Sequence, residues 1–383
     1  MTQHTASQTT PRSTPRILCL NPGSTSTKLA VFEGEGLVFS EELRHPKADI
    51  LACGGVQNQL PLRLRAIEQV LAERSLAAAP GAFEAVSGRG GLLRPLPGGV
   101  YEVDAAMLDE LARNAHGEHP CNLGAPLAVH FAAACRCPAY VVDPPVTDEL
   151  RDIARMTGLP RIRRRSVFHA LSQRMAARLA ATRLGLRYED AKFVVAHLGG
   201  GVSVGAHDHG RVVDVTNGVD GEGPMSAERA GTLPALVLVE MVHAGADPTR
   251  LRREILTCGG LFAHTGSNDL REVEARFAAG DARCGEVIAA LAYGVSKAVG
   301  GMAAALFEQS PGGPAAVVLT GGMARSALLV EEITRRVRFF APVLALPQVD
   351  EMQALAKGAE LALRGETPVQ SYAALVRSAG QAE

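Results

Sequence analysis

The chain has 383 residues, 47% hydrophobic and 21% charged, a composition that excludes a disordered polymer and supplies ample core material. Its formal net charge of -1 gives no electrostatic ground for nucleic acid or an anionic membrane surface as a partner. At roughly 100–200 residues per domain, this length predicts two domains.

Residues 1–16, MTQHTASQTTPRSTPR, are rich in Thr, Ser and Pro and hold no apolar segment. They are expected to be a disordered tail, not a signal peptide. Three short strands are expected over 17–20, 28–32 and 37–43, joined by the turns 21-NPGSTST-27 and 33-EGEG-36. The stretch 21-NPGSTSTK-28 has the glycine, hydroxyls and lysine of a phosphate loop. A P-loop, however, needs a second glycine before the lysine and Ser or Thr after it. Here Thr27 precedes Lys28 and Leu29 follows, and the chain continues as a strand. The stretch therefore reads as the turn of a β-hairpin, with Lys28 leading its second strand.

Helical periodicity covers 60–79 and 103–115, and 123–137 is Ala-rich and apolar. Residues 139-AYVVD-143 read as a buried strand ending in an acid, 161-RIRRRS-166 as a solvated basic patch, and 169–185 as a helix. The pattern of the N-terminus then returns in 193-FVVAHLGGGVSVGAHDHGRVVDV-215: an apolar run, a glycine turn, an alternating strand, a tight turn and a third strand. A dinucleotide-binding fold opens a helix at its glycine turn, and its G-x-G-x-x-G spacing fails here at Val204. Both glycine turns instead open hairpins, whose backbone N–H groups can cradle phosphate. Residues 286–306 form a long core helix. Residues 315-AAVVLTGGMA-324 read as a buried strand, a double glycine and a helix start, an arrangement that can receive a nucleoside or phosphate. Strands alternating with helices in both halves mean an α/β protein. The seven cysteines show no CxxC pair and are read as free thiols of a reducing cytoplasm. No apolar run is expected to reach membrane-spanning length.

These motifs together carry a resemblance. The stretches 21-NPGSTSTK-28, 86-VSGRGGLL-93, 117-GEHPCNLG-124, 139-AYVVDPPVTDE-149, 166-SVFHALSQ-173, 196-AHLGGGVSVGAH-207, 220-DGEGPMSAERAG-231, 319-LTGGMA-324 and 340-FAPV-343 occur in order from about residue 17 to 370. The chain resembles the acetate and sugar kinase, heat-shock chaperone and actin superfamily. Within it, the chain is similar to the acetokinase family and nearest to its butyrate kinase branch. The resemblance implies two duplicated actin-like (ribonuclease H-like) domains with a cleft between them. The N-terminal domain would cover 17–185, with about 360–383 returning to it, and the nucleotide-binding domain 186–360.

The implied reaction is ATP plus a short-chain carboxylate giving ADP and an acyl phosphate, with Mg²⁺. Acetate or propionate kinase is the alternative, and a non-catalytic nucleotide clamp a weaker one. The nucleophile is already ionised near neutral pH, so the site needs cations and donors rather than a general base. By the resemblance, Arg89 and Arg229 are the substrate and transition-state arginines, and His169 donates to the transferring phosphoryl group. His197 precedes the second phosphate turn, and His119 lies near a further family histidine with its spacing to Asn122 shifted by one. Asp143 and Glu351, with Asn21, are the metal-side residues, Asp350 being the competing alignment for Glu351. Asn21, Ser24, Ser26 and Lys28 in the first turn and Gly199, Gly200 and Gly201 in the second would face phosphates, Lys28 otherwise holding the hairpin. Gly321 and Gly322, with Asp269 and Arg271, would flank the adenosine. Two departures stand out: Leu270 replaces an aromatic ring, and Gly200 stands where acetate kinases carry Asn. A homodimer or higher homo-oligomer in the cytoplasm is the default expectation, with no nucleic acid or membrane partner.

Overall fold

The computed structural model describes residues 14–307 and 312–379. Most of the expected N-terminal tail thus lies outside the described residues. By internal contacts the chain forms two units, the first running to Pro145 and resuming at Asp350, the second covering Val146–Val349.

The first unit opens with β1 (Arg16–Pro22), β2 (Ser26–Glu33) and β3 (Gly36–Arg44), followed by α1 (Lys47–Ala52), α2 (Leu60–Glu73) and β4 (Ala85–Gly88). Next come β5 (Val100–Glu102), α3 (Ala105–Ala112), α4 (Gly124–Cys135) and β6 (Ala139–Val142). The second unit holds α5 (Asp152–Arg155), α6 (Ala170–Arg183), β7 (Lys192–Leu198), β8 (Val202–Asp208) and β9 (Arg211–Val215). It continues through α7 (Ala235–His243), α8 (Pro248–Thr257), α9 (Gly260–Thr265), α10 (Leu270–Ala278) and α11 (Ala282–Ala305). It ends with β10 (Ala316–Thr320), α12 (Ala327–Val337) and β11 (Val343–Leu346). The chain then returns to the first unit with α13 (Glu351–Leu363), β12 (Val369–Ser371) and α14 (Tyr372–Ala379).

The two sheets share one plan. In the first the order is β12-β5-β6-β4-β1-β2-β3, and in the second β11-β10-β7-β8-β9. Each begins with an antiparallel three-strand meander, β1-β2-β3 or β7-β8-β9, whose first strand then pairs in parallel with a later one, β4 or β10. The central strands are buried on both faces, as Ile17, Leu18, Cys19 and Leu20 of β1 and Phe193, Val194, Val195 and Ala196 of β7 show. That is why they read as continuous apolar runs.

Some expectations shift. The helix expected over 60–79 stops at Glu73, because Ser75 adopts a left-handed backbone with φ of 56°. The double glycine after β10 opens a short 3₁₀ turn, Gly322–Arg325, and the α-helix starts only after Ser326, whose side chain caps Leu329 N–H. The expected boundary at 185 moves to Pro145. The reason is α6, whose Ala176, Ala177, Ala180 and Ala181 pack against Phe193, Val195, Ala316 and Val318 of the second sheet. The return to the first unit starts at Asp350 rather than near 360. Helix α11 is long and apolar enough to cross a membrane by composition. Its Val287, Leu291, Val295 and Val299 are buried at helical spacing in the second core, so it serves as that core's central helix. All seven cysteines are free thiols.

Candidate active site

The candidate residues form one group in each unit. In the first, β4 ends at Gly88, and Arg89 follows with its N–H donating to Leu20 O at 2.8 Å. Helix α4 begins at Gly124, pressed against this backbone: a Cβ on Gly124 would lie 1.9 Å from Arg89 O. Only glycine permits the approach that sets where Arg89 leaves the sheet. The Arg89 guanidinium forms an ion pair with Glu351, and Asn21 Nδ2 donates to the same Glu351 oxygen at 3.0 Å. The carboxylate comes from the first residue of α13, while Asp350 caps that helix by accepting from Met352 N–H at 2.6 Å. Asp350 thus serves its helix, and Glu351 reaches Asn21 and Arg89.

His119 precedes the 3₁₀ turn Pro120–Leu123, and its Nδ1 accepts from Cys121 N–H at 3.2 Å. Burial, and then the positive charge of Arg89, hold its pKa below the ordinary value. A neutral ring with Nδ1 as acceptor follows. Asp143 ends β6 with a left-handed φ of 39° and is 2% exposed. Its Oδ1 accepts from Gly99 N–H at 2.8 Å, and its own N–H donates to Gly99 O at 2.9 Å. A non-glycine residue held in that region stores strain, and such strain clusters at functional positions. In the first turn, Ser24 is exposed, and Ser26 Oγ donates to Glu42 Oε1 at 2.8 Å. Lys28 is exposed on β2, opposite Asn21 on one side and Glu42 on the other.

The second group surrounds the β7–β8 turn. Gly199 N–H donates to Gly201 O at 3.1 Å and closes it. Ser226 Oγ donates to Gly200 O at 2.6 Å and accepts from Arg229 N–H at 3.0 Å, tying the 226–229 segment to the turn. A Cβ on Gly201 would sit 2.6 Å from Arg229 Nη1 and 3.4 Å from His169 Cε1. The space that glycine leaves is therefore where an arginine fork and an imidazole converge. Burial lowers the pKa of Arg229, though a guanidinium stays charged at neutral pH. His169, immediately before α6, stacks on His197 of β7 with ring centres 4.0 Å apart and planes 13° from parallel. Its Nδ1 lies 2.9 Å from Ser203 Oγ on β8.

The residues expected near the adenosine divide. Gly321, with φ of 88°, lies against the end of β7, where a Cβ would come 2.5 Å from Leu198 O. Gly322 follows in the 3₁₀ turn. Asp269 caps α10 through Arg271 N–H and forms an ion pair with Arg271 at 2.6 Å, the arginine side chain being 90% exposed. The structure thus gives this pair a local capping role, and Asn268 instead connects the loop to the site by donating to Glu228 Oε1 at 2.7 Å.

Among the described residues no cluster of three or more His, Cys, Asp or Glu side chains forms a metal centre by itself. Asp143, Glu351 and Asn21 offer hard oxygen donors of the kind Mg²⁺ takes alongside phosphates. Sequence reasoning passed over Ser203, Gln173, Ser226 and Arg63. The alternation of 202-VSVGAH-207 held the signal for Ser203, since it puts Ser203, Gly205 and His207 on one face of β8.

Comparison with known proteins identifies the chain's relatives. Residues 156–356 match the model of the acetokinase family. A protein named probable butyrate kinase from Oleidesulfovibrio alaskensis is 50% identical over 366 residues, covering 93% of this chain and 98% of the relative. A second of that name, from Maridesulfovibrio salexigens, is 45% identical over 360 residues, covering 93% and 98%. The crystal structure of Porphyromonas gingivalis acetate kinase superposes with a TM-score of 0.71 at 22% identity, covering 90% of this chain and 98% of that one. At that identity the likeness establishes the fold: α/β, in the actin-like class.

Proposed function

The chain belongs to the acetokinase family, and on that premise we propose that it is a butyrate kinase-like carboxylate kinase. It transfers the γ-phosphoryl group of ATP to a short-chain fatty acid, straight or branched, giving ADP and an acyl phosphate. The observation that carries the reading is the convergence of Arg229 and His169 on the space left by Gly201. Cations and N–H donors fit a reaction whose nucleophile is already an anion.

A carboxylate oxygen attacks the γ-phosphorus in line. The bond from phosphorus to the bridging oxygen breaks, and its electron pair leaves on ADP. Little covalent help is needed; positioning and charge stabilisation do the work. Arg89 is assigned to the carboxylate, which its planar fork can hold bidentately. The same guanidinium is ion-paired with Glu351. Arg229 and His169 are assigned to the equatorial oxygens of the transferring group. Backbone N–H groups of Gly199–Gly201 are assigned to the phosphate chain, with Asn21, Ser24 and Ser26 as first-turn contacts. Glu351, Asn21 and, through water, Asp143 would hold the Mg²⁺ that accompanies ATP, and the ion would supply neutralisation of phosphate charge. His197 is assigned to steady the His169 ring by stacking, and His119 to the Arg89 side of the chemistry.

The enzyme is further proposed to be a cytoplasmic homodimer. The free thiols support the first part. The second is supported by α7, which exposes Leu236 at 76%, Val237 at 48% and Val239 at 53%. A solution mass near 40.2 kDa would overturn the dimer. The decisive experiment traps acyl phosphate with hydroxylamine across acids from formate to branched and longer chains, for the wild type and for Arg89→Ala and Arg229→Ala. The wild type should give most hydroxamate with four-carbon acids, and each variant should lose about 10³–10⁵ in rate. No hydroxamate with any short acid would sink the proposal, and a preference for acetate would replace its substrate.

A further inference from the structure

Behind the His169 ring runs a chain of buried polar groups whose donors and acceptors can be assigned one after another. Ser203 O is a backbone carbonyl and can only accept. Gln173 Nε2 lies 3.0 Å from it and 2.8 Å from Ser203 Oγ, so the amide NH₂ faces Ser203. Gln173 Oε1 then faces the other way, 3.1 Å from His207 Nε2, and that nitrogen must carry a proton. His207 is fully buried, and burial, then the charges of Arg174 and Arg178, hold its pKa well below the ordinary value. It is therefore neutral, and its Nδ1 accepts from Tyr188 O–H at 2.9 Å. At the opposite end, Ser203 Oγ accepts from Gln173 and lies 2.9 Å from His169 Nδ1, which leaves its own proton available for that nitrogen.

The architecture is built for this chain. Ser203, Gly205 and His207 alternate on one face of β8, and Gln173 is one helical turn beyond His169 on α6, its N–H donating to His169 O at 2.9 Å. A Cβ on Gly205 would lie 2.5 Å from Gln173 Oε1, so glycine at that position leaves room for the amide between Ser203 and His207.

We propose that Tyr188, His207, Gln173 and Ser203 form a positioning relay that fixes His169 as the tautomer protonated on Nε2, presenting an N–H donor, rather than a lone pair, to the transferring phosphoryl group. The orientation of the Gln173 amide is set by the Ser203 carbonyl, an acceptor that cannot reverse. The assignment of that donor rests on the kinase reading above; the tautomer does not. A donor that cannot switch suits a reaction in which no proton is transferred and the oxygens only gain negative charge.

The test uses the full-length protein labelled with ¹⁵N-histidine, with His169 assigned by difference against His169→Gln. In the wild type near pH 7, Nδ1 should show a pyridine-type shift and Nε2 a pyrrole-type shift. The reverse pattern, or an averaged pair, overturns the relay. Ser203→Ala should lower kcat about 10-fold or more, with KM for ATP and for the acid little changed, the split expected when only transition-state contacts are lost. Ser203→Thr, which restores the hydroxyl on a strand that favours β-branching, should recover most of the rate. Equal kcat in Ser203→Ala and wild type, where His169→Ala is itself impaired, also overturns the relay. If His169→Ala keeps full turnover while the wild-type tautomer is as stated, the kinase role of His169 fails and the relay stands.

Discussion

The two hairpin turns occupy equivalent places in their sheets and are held by opposite means. The β1–β2 turn is held from beneath by a charge. Arg63 of α2, 0% exposed, donates to Gly23 O, Ser26 O and Thr27 Oγ1, each at 2.8 Å, and to Gln59 Oε1. Among the described residues no carboxylate joins it, and burial brings its pKa down to about 10. The β7–β8 turn is held instead by a neutral hydroxyl, Ser226 Oγ donating to Gly200 O, and Gly201 leaves the gap where Arg229 and His169 meet. In the first turn the cation is structural and sealed in. In the second it is half-buried and part of the proposed chemistry. Two copies of one backbone plan have thus separated the tasks of holding a turn and using it.

This contrast can be broken in three ways. The largest effect is expected from Arg63→Met, which fills similar volume but strands the inward carbonyls of Gly23 and Ser26. With each buried acceptor costing about 1–3 kcal/mol when left unmade, the unfolding free energy should fall by about 3 kcal/mol in urea melts, with KM for ATP raised. An unchanged midpoint would show that the turn stands without its cation.

Next comes Gly201→Ala. The atom it would strike first is the far end of the Arg229 side chain, so the fold can absorb it while the arginine moves. Turnover should drop about 10- to 100-fold, equivalent to about 1.4–2.7 kcal/mol of barrier, with the melting temperature nearly unchanged. A loss of stability without a loss of rate would reverse the roles assigned to the two turns.

The smallest effect concerns pH. His45 Nε2 lies 2.9 Å from Thr27 Oγ1 beneath the first turn, and burial, then Arg63, lower its pKa from the ordinary 6.5. The unfolded chain then binds more protons than the folded one in that range. The stability from keeping His45 neutral is fully present above about 6.5 and is lost as pH falls through the depressed folded value. His45→Gln should flatten the stability profile below pH 6.5. A profile as steep as the wild type's would assign the acid sensitivity to other groups.

Much of this was legible along the chain. Apolar runs interrupted by Asn-Pro-Gly and Gly-Gly-Gly turns marked both meanders, because a strand's two-residue period and a turn's need for small residues are local properties. The motifs around Arg89, His169 and Arg229 were likewise visible as residue types in order. What spacing could not supply was which side chains meet. Glu351 reaches Asn21 across 330 residues, and Gln173 enters β8 because Gly205 vacates the space. Arg63 lay within a stretch of helical periodicity and was not singled out, and α6 was assigned to the first domain. Pattern records how a segment folds with its neighbours in sequence. Whether a polar atom buried by that folding finds its partner is decided by packing between distant segments, and those pairings set the candidate site.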